Sequence, residues 1–231
     1  MLTTVSNFSK LAISHHLNID PSRVIVIYPG IYPGIEEIFK PINRQEAKRY
    51  VEEKYSIRKQ YLIYSGVISR SKGVYDLIKA FCKLPELIKN YVLVLTGPLE
   101  EPEILRVISK ANSVKYLGFV PRTDLPFLFS AALAFVYPSY HEGFGFPPLE
   151  AAACGTPVIV SKIPVFLETL SNAAFFVEAG NIEQLADAIN IIVNNEDLRM
   201  KLSQQALRRA RMFSWKNTAK RYIELWLKMI K

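Results

Sequence analysis

Only two of the 231 residues are cysteine, and Cys82 and Cys154 stand far apart, each in an apolar helical context. That excludes a disulfide-stapled scaffold, and neither has a companion at metal-ligand spacing. Both read as buried free thiols of a protein kept in a reducing cytoplasm. Long hydrophobic runs are also missing: the longest, Leu125 to Pro138, is too short and too interrupted to span a bilayer. The N-terminus enters Thr-Val-Ser-Asn-Phe-Ser without a basic-then-apolar leader pattern. No Asp-x-Asp triplet and no His/Asp/Glu cluster has ligand spacing, so no metal is expected. No Gly-x-Gly-x-x-Gly follows a first strand, which argues against a nicotinamide dehydrogenase. Repeats and low-complexity tracts are absent as well.

What is present is an apolar-rich chain with half its residues hydrophobic, long enough to bury a large core. Its net charge of +8 is uneven. Residues 201–231 hold nine Lys or Arg and one acid, Glu224, and the remaining 200 residues carry twenty of each sign. The basicity therefore belongs to the tail and not to the domain. The cations are not interleaved with stacking aromatics on a sheet face, so nucleic acid is not an expected partner.

A short strand (residues 2–5), a helix (9–17) and a strand (24–28) come first, and Pro29-Gly30 and Pro33-Gly34 mark turns. A charged helix over 43–54 leads into an alternation of strands and helices. Strands are predicted at 61–67, 91–96, 114–119, 132–137, 157–160 and 173–177; helices at 74–84, 101–110, 124–131, 147–154 and 165–170. Such alternation implies an α/β fold, with a parallel sheet covered by helices on both faces. Three further helices (182–193, 196–212 and 215–230) close the chain.

Residues 137–161, Tyr-Pro-Ser-Tyr-His-Glu-Gly-Phe-Gly-Phe-Pro-Pro-Leu-Glu-Ala-Ala-Ala-Cys-Gly-Thr-Pro-Val-Ile-Val-Ser, hold the most chemistry. The pattern is strand, loop with Gly143 and Gly145, helix opened by Pro147-Pro148, and a second strand after Gly155. Glu142 thus lies at the carboxyl end of a strand and Glu150 one turn inside a helix, where an open parallel sheet binds ligands. Carboxylates accept from sugar hydroxyls, while loop N–H groups and the positive helix end suit phosphates. A second loop, Gly66-Val67-Ile68-Ser69-Arg70-Ser71-Lys72-Gly73, leaves the preceding central strand toward the same crevice. Its Lys72 offers a point charge for a phosphate group. Arg70 reads equally as a solvated loop cation. Asp124 reads as a helix N-cap, and His141, His15 and His16 as surface histidines.

The string from Tyr137 to Ser161 closely resembles the Glu-x7-Glu signature of retaining, group 1 (family 4) glycosyltransferases of the GT-B fold. Glu142 and Glu150 match its two glutamates, and the doubled proline and Ala-Cys-Gly-Thr-Pro-Val are most like its mannosyltransferase-type members. The resemblance runs from about Val5 to Trp226 and implies the C-terminal, Rossmann-like half of a GT-B fold plus C-terminal helices. By it, residues 1–40 are the edge of an N-terminal acceptor domain with its linker. Residues 41–212 are the nucleotide-sugar domain, and 213–231 a basic amphipathic crossover helix. The chain is expected to begin where the acceptor domain ends, as a truncated or a one-domain form.

The resemblance further implies that Lys72 and Arg70 meet the diphosphate, with Gly66 and Gly97 near the phosphates. Phe119 and Val120 would border the base, Glu142 and Gly143-Phe144-Gly145-Phe146 hold the sugar, and Glu150 take the ribose hydroxyls. Val67 stands where the family often has an arginine. The donor implied is a nucleotide sugar, GDP-mannose by likeness alone; the acceptor would be a sugar or a lipid-linked sugar. Transfer would retain configuration. A non-catalytic nucleotide-sugar-binding subunit that needs a separate N-terminal-domain partner is the alternative. The tail's apolar stripe (Ala219, Tyr222, Ile223, Trp226, Met229, Ile230) is expected to pack on protein, and its cations to permit contact with an anionic inner membrane face.

Overall fold

Apolar, β-branched and aromatic segments between short helices form a six-stranded parallel sheet in the computed structural model, which describes residues 2–31 and 38–230. Its strands are β3 (Gln60–Ser65), β4 (Tyr91–Thr96), β5 (Val114–Tyr116), β6 (Ala134–Tyr137), β7 (Val158–Ser161) and β8 (Phe175–Val177). They lie in the order β5-β4-β3-β6-β7-β8, all parallel. Strands β6 and β7 are buried at every residue, as a sheet covered on both faces requires. The order reverses direction between β3 and β6, and the crevice beyond the carboxyl ends of those two strands is the topological switch point.

Helices follow the strands in turn: α3 (Val74–Cys82), α5 (Glu103–Ser109), α6 (Leu125–Ala131), α7 (Phe146–Ala153) and α8 (Pro164–Leu170). After β8 come α9 (Ile182–Asn194), α10 (Glu196–Ala210) and α11 (Trp215–Ile230). Helix α2 (Arg44–Tyr55) precedes the sheet, and the Asn43 side chain accepts from the N–H groups of Gln45 and Glu46. The N-terminal segment is a small unit of its own: β1 (Leu2–Thr4) and β2 (Val24–Val26) pair in parallel around α1 (Asn7–His16). The Pro33-Gly34 turn lies outside the described residues.

Several expectations need correction. The helix expected over 74–84 stops at Cys82, and a separate helix α4 (Pro85–Asn90) begins at Pro85, whose fixed φ suits a first turn and not a helix interior. Cys82 is exposed at that helix end, whereas Cys154 is buried. Asp124 begins α6 but its side chain caps no N–H there. Its carboxylate instead accepts from Tyr50 at 2.8 Å and from Tyr55, and meets Lys54 Nζ at 2.7 Å, tying α2 to α6. Helix α11 buries only Thr218 against the rest of this chain, and Ile223, Trp226, Met229 and Ile230 of its apolar stripe are exposed. Its first turn reaches the body, where the Thr218 hydroxyl donates to the Tyr28 carbonyl at 2.8 Å. Among the described residues no helix is long and apolar enough to cross a membrane.

Candidate active site

The loops after β3 and β6 meet at the switch point and are locked together. Gly73 has φ +70°, and a Cβ there would stand 2.0 Å from the Pro138 carbonyl oxygen, so only glycine lets the two loops approach so closely. The Tyr140 N–H donates to the Ser71 carbonyl at 3.0 Å, and the Tyr140 hydroxyl donates to Asp76. Across this seam Lys72 Nζ lies 2.7 Å from Glu142 Oε1 and 3.4 Å from the His141 carbonyl. The buried Ser139 hydroxyl donates to the same carboxylate oxygen at 3.0 Å. The Lys72 and Glu142 side chains are 24% and 13% exposed, so their attraction is screened less than at an open surface.

Glu150, a turn inside α7, is buried. Its carboxylate accepts from Arg122 Nη2 at 2.6 Å. Burial pushes this carboxyl upward; the Arg122 charge and hydrogen bond pull it back only in part, and it stays above the ordinary glutamate range. Arg122 comes from the loop after β5, with its guanidinium 5.9 Å from the Phe39 ring centre.

Between the two glutamates the backbone is shaped by its glycines and aromatics. Gly145 has φ +92° and leaves no room for a Cβ, which would sit 2.5 Å from the Phe166 ring. Phe144 is buried against Phe213 (5.5 Å between ring centres) and Phe146 (5.1 Å). Gly143 is exposed, and its carbonyl accepts from the hydroxyls of Ser6 and Ser9 at 2.8 and 3.2 Å.

The remaining predicted residues divide. Gly66 and Gly97 line up at the strand ends, the Gly66 N–H on the Thr96 carbonyl (3.0 Å) and the Gly97 N–H on that of Gly118 (2.9 Å). Phe119 is 80% exposed at the rim, and Val120 is turned into the core. Arg70 is not brought to Lys72. Its guanidinium pairs with Glu101 at 3.0 Å, lies over the Tyr75 ring at 4.5 Å, and is largely exposed. Sequence reasoning missed Ser139 and Arg122. Ser139 is adjacent to the glycine loop and could have been found there; nothing near Arg122 in sequence points to Glu150.

The chain is 30% identical to O-antigen chain mannosyltransferase B of Escherichia coli over 225 residues, 94% of this chain and 58% of that protein. It is 32% identical to O-antigen chain mannosyltransferase RfbU of Salmonella typhimurium over 200 residues, 81% of this chain and 52% of that one. It thus spans little more than half the length of these curated relatives. The fold is similar to that of Anabaena HepE, solved with UDP-glucose: TM-score 0.86 at 21% identity, over 99% of this chain and 64% of HepE. The six-stranded, Rossmann-like parallel sheet matches the C-terminal domains of GT-B glycosyltransferases. Residues 46–209 match the family model for glycosyl transferases group 1, and the chain belongs to that family.

Proposed function

We propose that this chain binds a nucleotide sugar and donates its glycosyl group, a mannosyl group, with retention. The observation that carries the reading is the Lys72–Glu142 pair across the seam of the loops after β3 and β6, with Glu150 buried in the helix that follows the second loop. Lys72 faces the donor diphosphate. As the bond from the sugar to the diphosphate breaks, negative charge grows on the leaving group, and a fixed cation stabilises that charge more than the ground state. Before the donor binds, Glu142, itself held by Ser139, keeps Lys72 in place; the diphosphate then shares the lysine. Glu142, with the Gly143–Phe146 backbone, accepts from sugar hydroxyls. Glu150 accepts from the two ribose hydroxyls, with Arg122 partly offsetting the effect of burial on its carboxyl. Arg70, tethered to Glu101, stands at the rim as a second cation.

Three things support this reading: family membership, the mannosyltransferase names of the two relatives, and the fit of residue chemistry to each part of such a donor. Calorimetry with GDP-, UDP- and ADP-sugars tests it. Binding of a nucleotide sugar at the micromolar level, with Glu142→Ala impairing the sugar form and sparing the free nucleotide, is the expected result. Equal effects on both forms would refute the assignment of Glu142. Binding without labelled product from any acceptor would favour the subunit reading over transfer.

A further inference from the structure

Glu168, on α8, has no place in the chemistry above, yet its carboxylate is among the most heavily used in the molecule. Oε1 accepts from the Asn7 N–H at 2.7 Å, from Asn7 Nδ2 at 2.9 Å and from the Tyr28 hydroxyl at 2.7 Å. Oε2 accepts from the Phe8 N–H at 3.1 Å. The first N–H groups of a helix have no partner inside it and attract negative charge. In α1 all three are satisfied from outside the helix: Asn7 and Phe8 by Glu168, and Ser9 by the Ser6 hydroxyl at 3.0 Å. A residue some 160 positions away thus completes the cap.

The same cap touches the candidate site, since Ser6 and Ser9 donate to the Gly143 carbonyl. The other end of the connection is equally fixed. Arg209 Nε donates to the Thr169 carbonyl at 2.8 Å and Nη2 to that of Glu168 at 2.5 Å, holding the last turn of α8. Tyr28 packs edge-on against Phe213, whose ring centre is 5.8 Å away, and Phe213 meets Phe144 of the glycine loop.

We propose that Glu168 is a positioning residue for the donor site. By docking the β1–α1–β2 unit onto α8 it places the Ser6 and Ser9 hydroxyls on Gly143, and so sets the backbone of the loop that follows Glu142. The inference rests on the donor-site reading for its consequence in binding, but not for its consequence in backbone order. Loss of the carboxylate frees two helix N–H groups and unseats α1, while the sheet beneath is untouched.

The test compares Glu168→Ala with Glu168→Gln in the full chain. Glutamine keeps an acceptor for Asn7 and Tyr28 but sets an amide N–H against Phe8. Expected for Glu168→Ala is at least a tenfold loss of affinity for nucleotide sugar, with free nucleoside diphosphate within twofold. Glu168→Gln should recover to within about threefold of the native chain. Hydrogen exchange should quicken about tenfold at the amides of 143–146 in the alanine variant and stay unchanged at those of 62–64. Native affinity with native exchange at 143–146 would overturn the proposal. So would uniform loss of protection with equal loss for nucleotide and sugar, the signature of a merely structural residue. If the native chain binds no nucleotide sugar, the donor reading fails and the exchange comparison alone decides. If Glu168→Ala lacks a cooperative melt, the Ser6→Ala/Ser9→Ala double variant, which keeps Glu168, must show the same selective loss or the proposal falls.

Discussion

Asp124 and Glu150 are both buried carboxylates with a basic partner, and the fold treats them in opposite ways. Burial alone would raise either one. Around Asp124, hydrogen bonds from Lys54, Tyr55 and Tyr50 outweigh burial, and its carboxyl is held below the ordinary aspartate range. Around Glu150 the single hydrogen bond found among the described residues, from Arg122, does not, and its carboxyl stays high. Both oxygens of Asp124 are used within the fold, whereas Glu150 keeps the lone pairs that the proposed donor would use. Acceptor capacity left over separates the two more clearly than burial does.

This contrast can be broken most sharply at Asp124. Asp124→Ala should cost about 2–3 kcal/mol of stability, because Tyr50 and Tyr55 lose their acceptor; the half-exposed Lys54 adds little. Denaturant melts measure this, and donor affinity should stay native. Glu150→Ala should do the reverse, weakening free nucleoside diphosphate by roughly 1–3 kcal/mol in calorimetry with little change in melting. A shared phenotype would mean the two carboxylates do not differ as described.

The pH dependence of stability gives a smaller but cleaner separation. Asp124 binds its proton less tightly folded than unfolded, so its contribution is present above its ordinary 3.8 and is lost as pH falls through the depressed folded value. Glu150 binds its proton more tightly when folded. Its contribution is therefore greatest below its ordinary 4.5 and declines as pH rises toward the folded value. Urea melts from about pH 3 to 8 should show Asp124→Asn removing part of the acid loss and Glu150→Gln removing part of the decline above pH 4.5. The smallest effect is expected at Arg70, held by Glu101 at an exposed rim: Arg70→Ala should change donor affinity by no more than about 1 kcal/mol. A larger loss would mean that Arg70 leaves Glu101 when the donor arrives.

What could be read from the sequence was whatever is local. Glu142, the glycine loop and Glu150 lie within nine residues, and strand, loop and helix follow one another along the chain there. The alternation of apolar strands and capped helices likewise placed the parallel sheet, with errors at element ends. Pro85 stops the helix expected over 74–84, but the short helix that Pro85 itself opens was not legible, because six residues carry too little periodicity to mark it. Pairings across the sheet were not legible. Tyr50 and Lys54 share one face of α2 and Tyr55 ends the helix, but only the packing of α2 on α6 shows that Asp124 is their common partner. Arg122 reaches Glu150 across 28 positions, and Glu168 reaches Asn7 across 161. Side chains so far apart leave no mark in local pattern.

The strand order also sets a timetable for synthesis. β3 pairs early with β4, but its other edge waits for β6, which ends at Tyr137. At the usual 5–20 residues per second, roughly four to fourteen seconds separate the emergence of the two strands. During that interval Leu62 and Ile63, both wholly buried in the finished sheet, lie on an open strand edge of the kind that recruits other chains. The reversal of strand order at β3 thus also leaves the nascent chain with an open central strand edge until β6 is made.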